Sequence, residues 1–203
     1  MLFSTPMVWA ILDGTKTQTR RLIKPQPLEN TSGYLYKGTF WGFGEIIPKK
    51  MIQYAPYKPG DILWVRETWS DFYFEESGYI YEADEDRVSD EFRWKSSTHM
   101  PRKAARIFLE VKSVRVERLQ DITEEDARAE GIKSYLLHKE HGGEWRERNG
   151  SLFWSSDYNT HSTRKEAFSE LWDSLNAKRG YSWESNPWVW VIEFARIKKP
   201  IKQ

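Results

Sequence analysis

The sequence predicts an α+β protein built on a small, mostly antiparallel β-barrel with peripheral helices. Extended segments are separated by turns and irregular stretches, so the regular strand–helix alternation of a doubly wound sheet is missing. Helix signals are few. The stretch from Trp188 to Ile197 is apolar on both alternating faces over most of its length, as a central strand covered on both sides must be. At 203 residues the chain can bury a sizeable core as one domain, 1–203, decorated by insertions at about 25–56 and 134–161.

The elements follow in order. Thr5-Pro6 reads as an N-cap followed by proline at the first helical position, with Met7, Val8, Ala10, Ile11 and Leu12 as the apolar stripe. Gly14 stops that helix, and a strand runs from Gln18 to about Ile23. The first insertion holds several prolines and the run from Gly38 to Gly44, where glycines between aromatics suggest a hairpin or flap. Pro59-Gly60 makes a turn into a strand expected from Ile62 to Glu67 and continued by Thr68-Trp69. A short strand is expected from Tyr79 to Ala83, and one long bent strand from Arg106 to Arg118. Thr123 caps a short helix, with Asp126 at the capping-box position and Gly131 as the stop. Thr163 and Glu166 form a second capping box, opening a helix with Ala167, Phe168, Leu171, Trp172 and Leu175 on one face.

Composition narrows the function classes. With 31 Lys+Arg against 30 Asp+Glu, bulk charge does not demand a nucleic-acid partner. The absence of Cys removes disulfides and thiolate metal sites, and the four His (His99, His138, His141, His161) show no metal spacing. Met1 to Leu12 has neither the basic region nor the apolar length of a signal peptide, and no stretch is long enough to span a membrane. A soluble cytoplasmic protein is the expectation. The 11 Trp, 10 Tyr and 10 Phe suit strands and cores, and a few can stack on bases.

The stretch from Gly14 to Arg21 carries the chemistry. In a strand, Thr19 and Arg21 point one way and Gln18 and Arg20 the other. Lys16, in the preceding bend, can curl toward the Thr19 side, gathering an ammonium, a hydroxyl and a guanidinium that can hold an anion. A solvated basic strand is the plainer reading of the same spacing. If Lys16 is partly buried near Arg21, desolvation and like charge favour its neutral form, which can act as a base. Thr19 is then a candidate nucleophile. Glu130 ends the Thr123 helix facing the negative end of its dipole, which suggests a proton-transfer role; an ordinary exposed glutamate is the alternative.

Gly14-Thr15-Lys16-Thr17-Gln18-Thr19-Arg20-Arg21 resembles the G-x-K-x-x-[TE]-x-R signature of the ASCH domain family, a branch of the PUA-like β-barrels. Pro59-Gly60-Asp61-Ile62-Leu63, the segment from Leu119 to Gly131, and Val189-Trp190-Val191-Ile192-Glu193-Phe194 resemble three further blocks of that family, in its order. The insertions give the chain the size of the larger phage and prophage ASCH-like proteins. The resemblance implies a PUA-like barrel. It also implies the catalytic set of the small bacterial members that hydrolyse N4-acetylcytidine, matched here by Lys16, Thr19 and Glu130. Arg21 matches the signature arginine and is assigned to substrate or oxyanion binding. The implied reaction is amide hydrolysis without metal or cofactor.

Three functions follow as expectations. The first is an amidohydrolase of an acylated nucleoside or modified base. The second is an RNA- or modified-nucleic-acid-binding module, in which Lys16, Arg20 and Arg21 contact phosphate and Trp41 or Trp64 stacks on a base. The third is a phage accessory protein that binds a host protein through its insertions. Retention of both Thr19 and Glu130 favours the first, because a phosphate binder needs neither.

Overall fold

In the computed structural model, residues 1–30, 33–37, 39–42, 51–71, 78–84, 93–132 and 163–200 are described. The expected insertion at 134–161 lies outside them, as do Gly38, Phe43 and Gly44 of the glycine–aromatic run. The main sheet is antiparallel. It contains β1 (Gln18–Leu22), β9 (Trp188–Ile197), β8 (Phe108–Arg118) and β5 (Ile62–Trp64), in that spatial order, and it curls into a half-barrel. β9 is central, as its two apolar faces demand. Trp188, Trp190, Ile192 and Phe194 enter the concave core with Val8, Ile11, Leu109 and Val111. Val189 and Val191 point the other way, into a second cluster with Ala127, Phe168 and Trp172. Each such aliphatic side chain contributes roughly 1.5–3 kcal/mol when fully buried.

β8 is one long strand bent by a register shift between Val111 and Ser113, which lets an apolar ladder follow the curl. The expected strand from Ile62 to Glu67 is shorter than predicted. β5 pairs with β8 only from Ile62 to Trp64. Thr68-Trp69 does not continue it: Trp69–Ser70 is β6 and pairs with β7, Ile80–Tyr81. Between them the backbone is taken by the first residues of the chain, with Arg66 N–H donating to the Met1 carbonyl at 2.8 Å and Phe3 N–H to the Arg66 carbonyl at 3.1 Å. The first insertion carries a separate three-stranded antiparallel sheet, β2 (Leu28–Asn30), β3 (Gly33–Tyr36) and β4 (Thr39–Gly42).

Three α-helices flank these sheets among the described residues: α1 (Thr5–Leu12), α2 (Glu124–Ala129) and α3 (Arg164–Asn176). The α1 N-cap is Ser4 rather than Thr5, whose hydroxyl instead donates to Glu82 at 2.5 Å. α2 begins with the full Thr123–Asp126 capping box. At α3 the Thr163 hydroxyl accepts from Glu166 N–H, but the first two N–H groups of the helix, of Arg164 and Lys165, go to the Glu124 carboxylate at 3.0 and 3.1 Å. An acidic residue of α2 thus satisfies the positive end of α3 and fastens the two helices. Ala167, Phe168 and Trp172 of α3 are buried, whereas Leu175 is exposed because the helix extends past the cluster it covers.

Gly131 fixes how α2 meets the sheet. Its φ is +91°, and a Cβ there would lie 2.9 Å from the Ala10 Cβ and 3.2 Å from the Lys16 Cβ. Gly14 also has positive φ but open space around it. Gly131→Ala is therefore expected to destabilise the protein by roughly 2–4 kcal/mol, combining left-handed strain with overpacking. Gly14→Ala should cost only about 1–2 kcal/mol, from strain alone. Urea denaturation of both variants measures the difference.

Candidate functional site

Lys16 and Glu130 are 114 residues apart in sequence, and the backbone brings them together. Lys16 N–H donates to the Ala10 carbonyl and Thr17 N–H to the Ala129 carbonyl, both at 2.8 Å, while the Thr17 carbonyl accepts from Phe194 N–H. The segment after Gly14 is thereby stitched between the end of α1, the end of α2 and the central strand, and Lys16 forms an antiparallel bridge with Glu130. Its ammonium donates to the Glu130 carbonyl at 2.6 Å and to the Glu130 carboxylate at 2.9 Å. Both residues are 3% exposed, so this is an ion pair withdrawn from water rather than a surface contact.

The strand alternation of β1 sorts the neighbours. Thr19 and Arg21 pair with Ile192 and Trp190 and share their concave face; Gln18 and Arg20 pair with Glu193 and Val191 and face outward toward α2 and α3. On the concave side the Lys16 ammonium lies 5.7 Å and the Arg21 guanidinium 5.2 Å from the centre of the same Phe3 ring. Arg21 also donates to the Leu2 carbonyl at 3.0 Å, and among the described residues it has no carboxylate within ion-pair distance. Thr19 is buried on this face, and its hydroxyl is hydrogen-bonded to neither Lys16 nor Glu130.

Behind Glu130 lies a network of charges. Arg20, 3% exposed, donates to Glu130 Oε1 at 3.4 Å, to Asp126 Oδ2 at 2.9 Å and to Glu117 Oε2 at 3.1 Å. Its guanidinium lies 5.9 Å from the centre of the Phe168 ring. Arg115 takes the other oxygens of the same carboxylates, Asp126 Oδ1 at 2.8 Å and Glu117 Oε1, and also Glu193 Oε1. Gln18 donates to Asp126 Oδ1 at 3.1 Å, and Ser113 donates to Glu193 Oε2 at 2.7 Å.

Electrostatics follow burial. Loss of hydration pushes the Lys16 ammonium below its ordinary value; Glu130 opposes this, and Arg21 and Arg20 reinforce it. Burial likewise lowers Arg21, against the pull of Glu130 and Tyr57. At Asp126, burial alone would raise the carboxyl, but the Arg20 charge and the hydrogen bonds from Gln18, Arg20 and the Thr123 backbone hold it below its ordinary value. A lysine that gives up its proton more readily, touching a carboxylate and near a second cation, can move a proton and stabilise a developing oxyanion.

The structure thus joins Lys16 to Glu130 directly and sets Thr19 and Arg21 on the adjoining concave face. Arg20 is turned away from that face and enclosed by carboxylates. Trp64 belongs to a different cluster with Trp69, Met100 and Phe108, and the Arg66 guanidinium lies 5.5 Å from its ring centre. Trp41 stands on β4 opposite Tyr34. Sequence reasoning missed Phe3, Glu117, Arg115 and Glu193, and took Asp126 only as a helix cap. The available signal was polar residues at alternate strand positions: Gln18 and Arg20, Arg115 and Glu117, and Glu193. No group of three or more His, Asp or Glu placed to hold a metal ion occurs among the described residues, and no helix there is long and apolar enough to cross a membrane. No protein-family model matches the chain, and neither a curated protein nor a solved structure matches it.

Because Asp126 is depressed in the folded state, its stabilisation is fully present above the ordinary value of 3.8 and disappears as pH falls through the lower folded value. Asp126→Asn should cost roughly 3 kcal/mol at neutral pH, since it removes charge from its contacts with the buried Arg20 and the partly exposed Arg115. The gap between variant and wild type should close only below pH 3.8, as read from urea melts across the acid range.

Proposed function

We propose that this chain is an amide hydrolase of an N-acylated cytidine-like nucleoside or modified base, and that its curled sheet is the half-barrel of an ASCH-type, PUA-like domain. The observation that carries the reading is the buried 2.9 Å contact between Lys16 and Glu130, with Thr19 and Arg21 on the concave face of the adjoining strand. The four-block sequence resemblance supports it independently. In its neutral form, which burial favours, Lys16 takes the proton from Thr19 or from an attacking water; Glu130 receives and returns it; Arg21 holds the oxyanion that forms on the acyl carbonyl. When water attacks, the C–N bond of the amide breaks, the exocyclic amine leaves with the returned proton and the acyl group leaves as the carboxylic acid; when Thr19 attacks, the acyl group passes to its oxygen as the amine leaves, and a water then releases it as the acid. A cytoplasmic setting suits a nucleoside substrate.

The RNA-binding reading is weaker on this geometry. Of the three cations assigned to phosphate, Lys16 and Arg20 are buried against carboxylates, which leaves Arg21 alone without one among the described residues. The reading of a host-protein partner rests on insertions of which the second lies outside the described residues.

Incubation with N4-acetylcytidine and related N-acyl nucleosides, followed by chromatography, tests the proposal. Wild type should release cytidine and the acid. Thr19→Ala and Glu130→Gln should lower turnover by about 10²–10⁴-fold, with nucleoside binding kept within roughly tenfold, about 1.4 kcal/mol. Lys16→Ala should abolish turnover. A wild type inactive on every N-acyl nucleoside, with salt-sensitive RNA binding lost in Arg21→Ala, overturns it.

A further inference from the structure

We propose that Arg20 is a positioning residue for the Lys16–Glu130 pair, holding one oxygen of Glu130 from behind so that the other faces the Lys16 ammonium. The inference rests on the hydrolase reading for its kinetic consequence, but its geometry does not depend on it. The two Glu130 oxygens are divided: Oε2 takes Lys16 at 2.9 Å and Oε1 takes Arg20 at 3.4 Å. The second contact is long for a hydrogen bond, so Arg20 is not drawn to Glu130 by a short bond. It is held where it stands by its other anchors. Its second terminal nitrogen reaches Asp126 at 2.9 Å and Glu117 at 3.1 Å, on α2 and β8 respectively. Arg115 fixes those two carboxylates from their far sides, and Gln18 and the Thr123 cap fix Asp126 further. The planar guanidinium is needed for this, because it alone can serve three carboxylates from two nitrogens in a fixed plane.

The arrangement separates roles along one strand. Arg21, on the concave face, lies over the Phe3 ring that Lys16 also faces. Arg20, one residue earlier, has its side chain wholly enclosed and touches none of the reacting groups except Glu130. Its charge also bears on Lys16. The groups facing the Lys16 ammonium are Glu130 from the end of α2, Arg20 and Arg21 from β1, and the Phe3 ring; the terminal amine of Met1 and Tyr57 bear on Arg21 behind it. Glu130 favours the charged lysine, and the two arginines favour the neutral one. Removing Arg20 deletes one of the opposing charges and frees Glu130 to turn fully to Lys16. Both changes act in the same direction and make Lys16 hold its proton to higher pH.

The test uses the full chain as wild type, Arg20→Gln and Arg20→Lys. Lys16 titration is followed by NMR of protein carrying isotope-labelled lysine, its signal assigned by loss in Lys16→Met. The pH profile of kcat is measured beside it on N4-acetylcytidine. In Arg20→Gln the Lys16 titration and the acid limb of kcat should both move up by about one pH unit. Arg20→Lys keeps the charge but not the fork, so its titration should stay near wild type while kcat falls about tenfold to a hundredfold with KM unchanged. The Lys variant also keeps the test decisive should Arg20→Gln fail to fold. An Arg20→Gln protein, or an Arg20→Lys protein, with wild-type titration, kcat and pH profile overturns the proposal. The two readings fail separately: a Lys16 titration that shifts in a protein inactive on every substrate upholds the positioning role and removes the hydrolase, and an active enzyme indifferent to Arg20 does the reverse.

Discussion

A buried ammonium and a buried carboxylate can persist only if each neutralises the other. That condition, at Lys16 and Glu130, organises the rest of the molecule. The ammonium binds both the carboxylate and the main-chain carbonyl of Glu130, so the pair ties the end of α2 to the entry of β1 as well as balancing charge. The backbone bridge between the same residues, and the close approach at Gly131, leave the pair little freedom to slide.

The surrounding network answers the same demand at greater distance. Glu130 keeps its second oxygen satisfied by Arg20, Arg20 needs Asp126 and Glu117, and these need Arg115, which reaches Glu193 at the middle of the central strand. The chain of contacts ends where the carboxylates become partly exposed and water can take over. A fully apolar filling of this layer would serve stability at least as well. That the layer is instead an ordered row of charges leading to one lysine supports the chemical use proposed for that lysine.

Much of the fold was legible because alternation is a local property. The two apolar faces of β9, the bend in β8 and the opposite aims of Thr19 and Arg20 all follow from the period of two. Strand lengths were not legible, because a strand ends where its partner ends: Trp69 is as strand-like as Trp64, yet its partner is Tyr81 and not β8. Caps were half legible. The Thr123 box forms as expected, but at Thr163 a carboxylate from another helix takes the open donors, and no local pattern encodes Glu124. At the site, alternation showed which way Arg20 points but not what waits there. Its partners come from 97 to 110 residues away, and their proximity is a property of the sheet order.

The central claim is that Lys16 and Glu130 act as one buried unit, and a double-mutant cycle on stability tests it most directly. Lys16→Met and Glu130→Gln should each cost roughly 3–5 kcal/mol in urea denaturation at neutral pH, because each leaves an uncompensated buried group. The double variant should cost less than their sum by a coupling of about 2–3 kcal/mol. Additive losses would contradict the account, since they would mean that the two residues do not depend on each other in the folded protein.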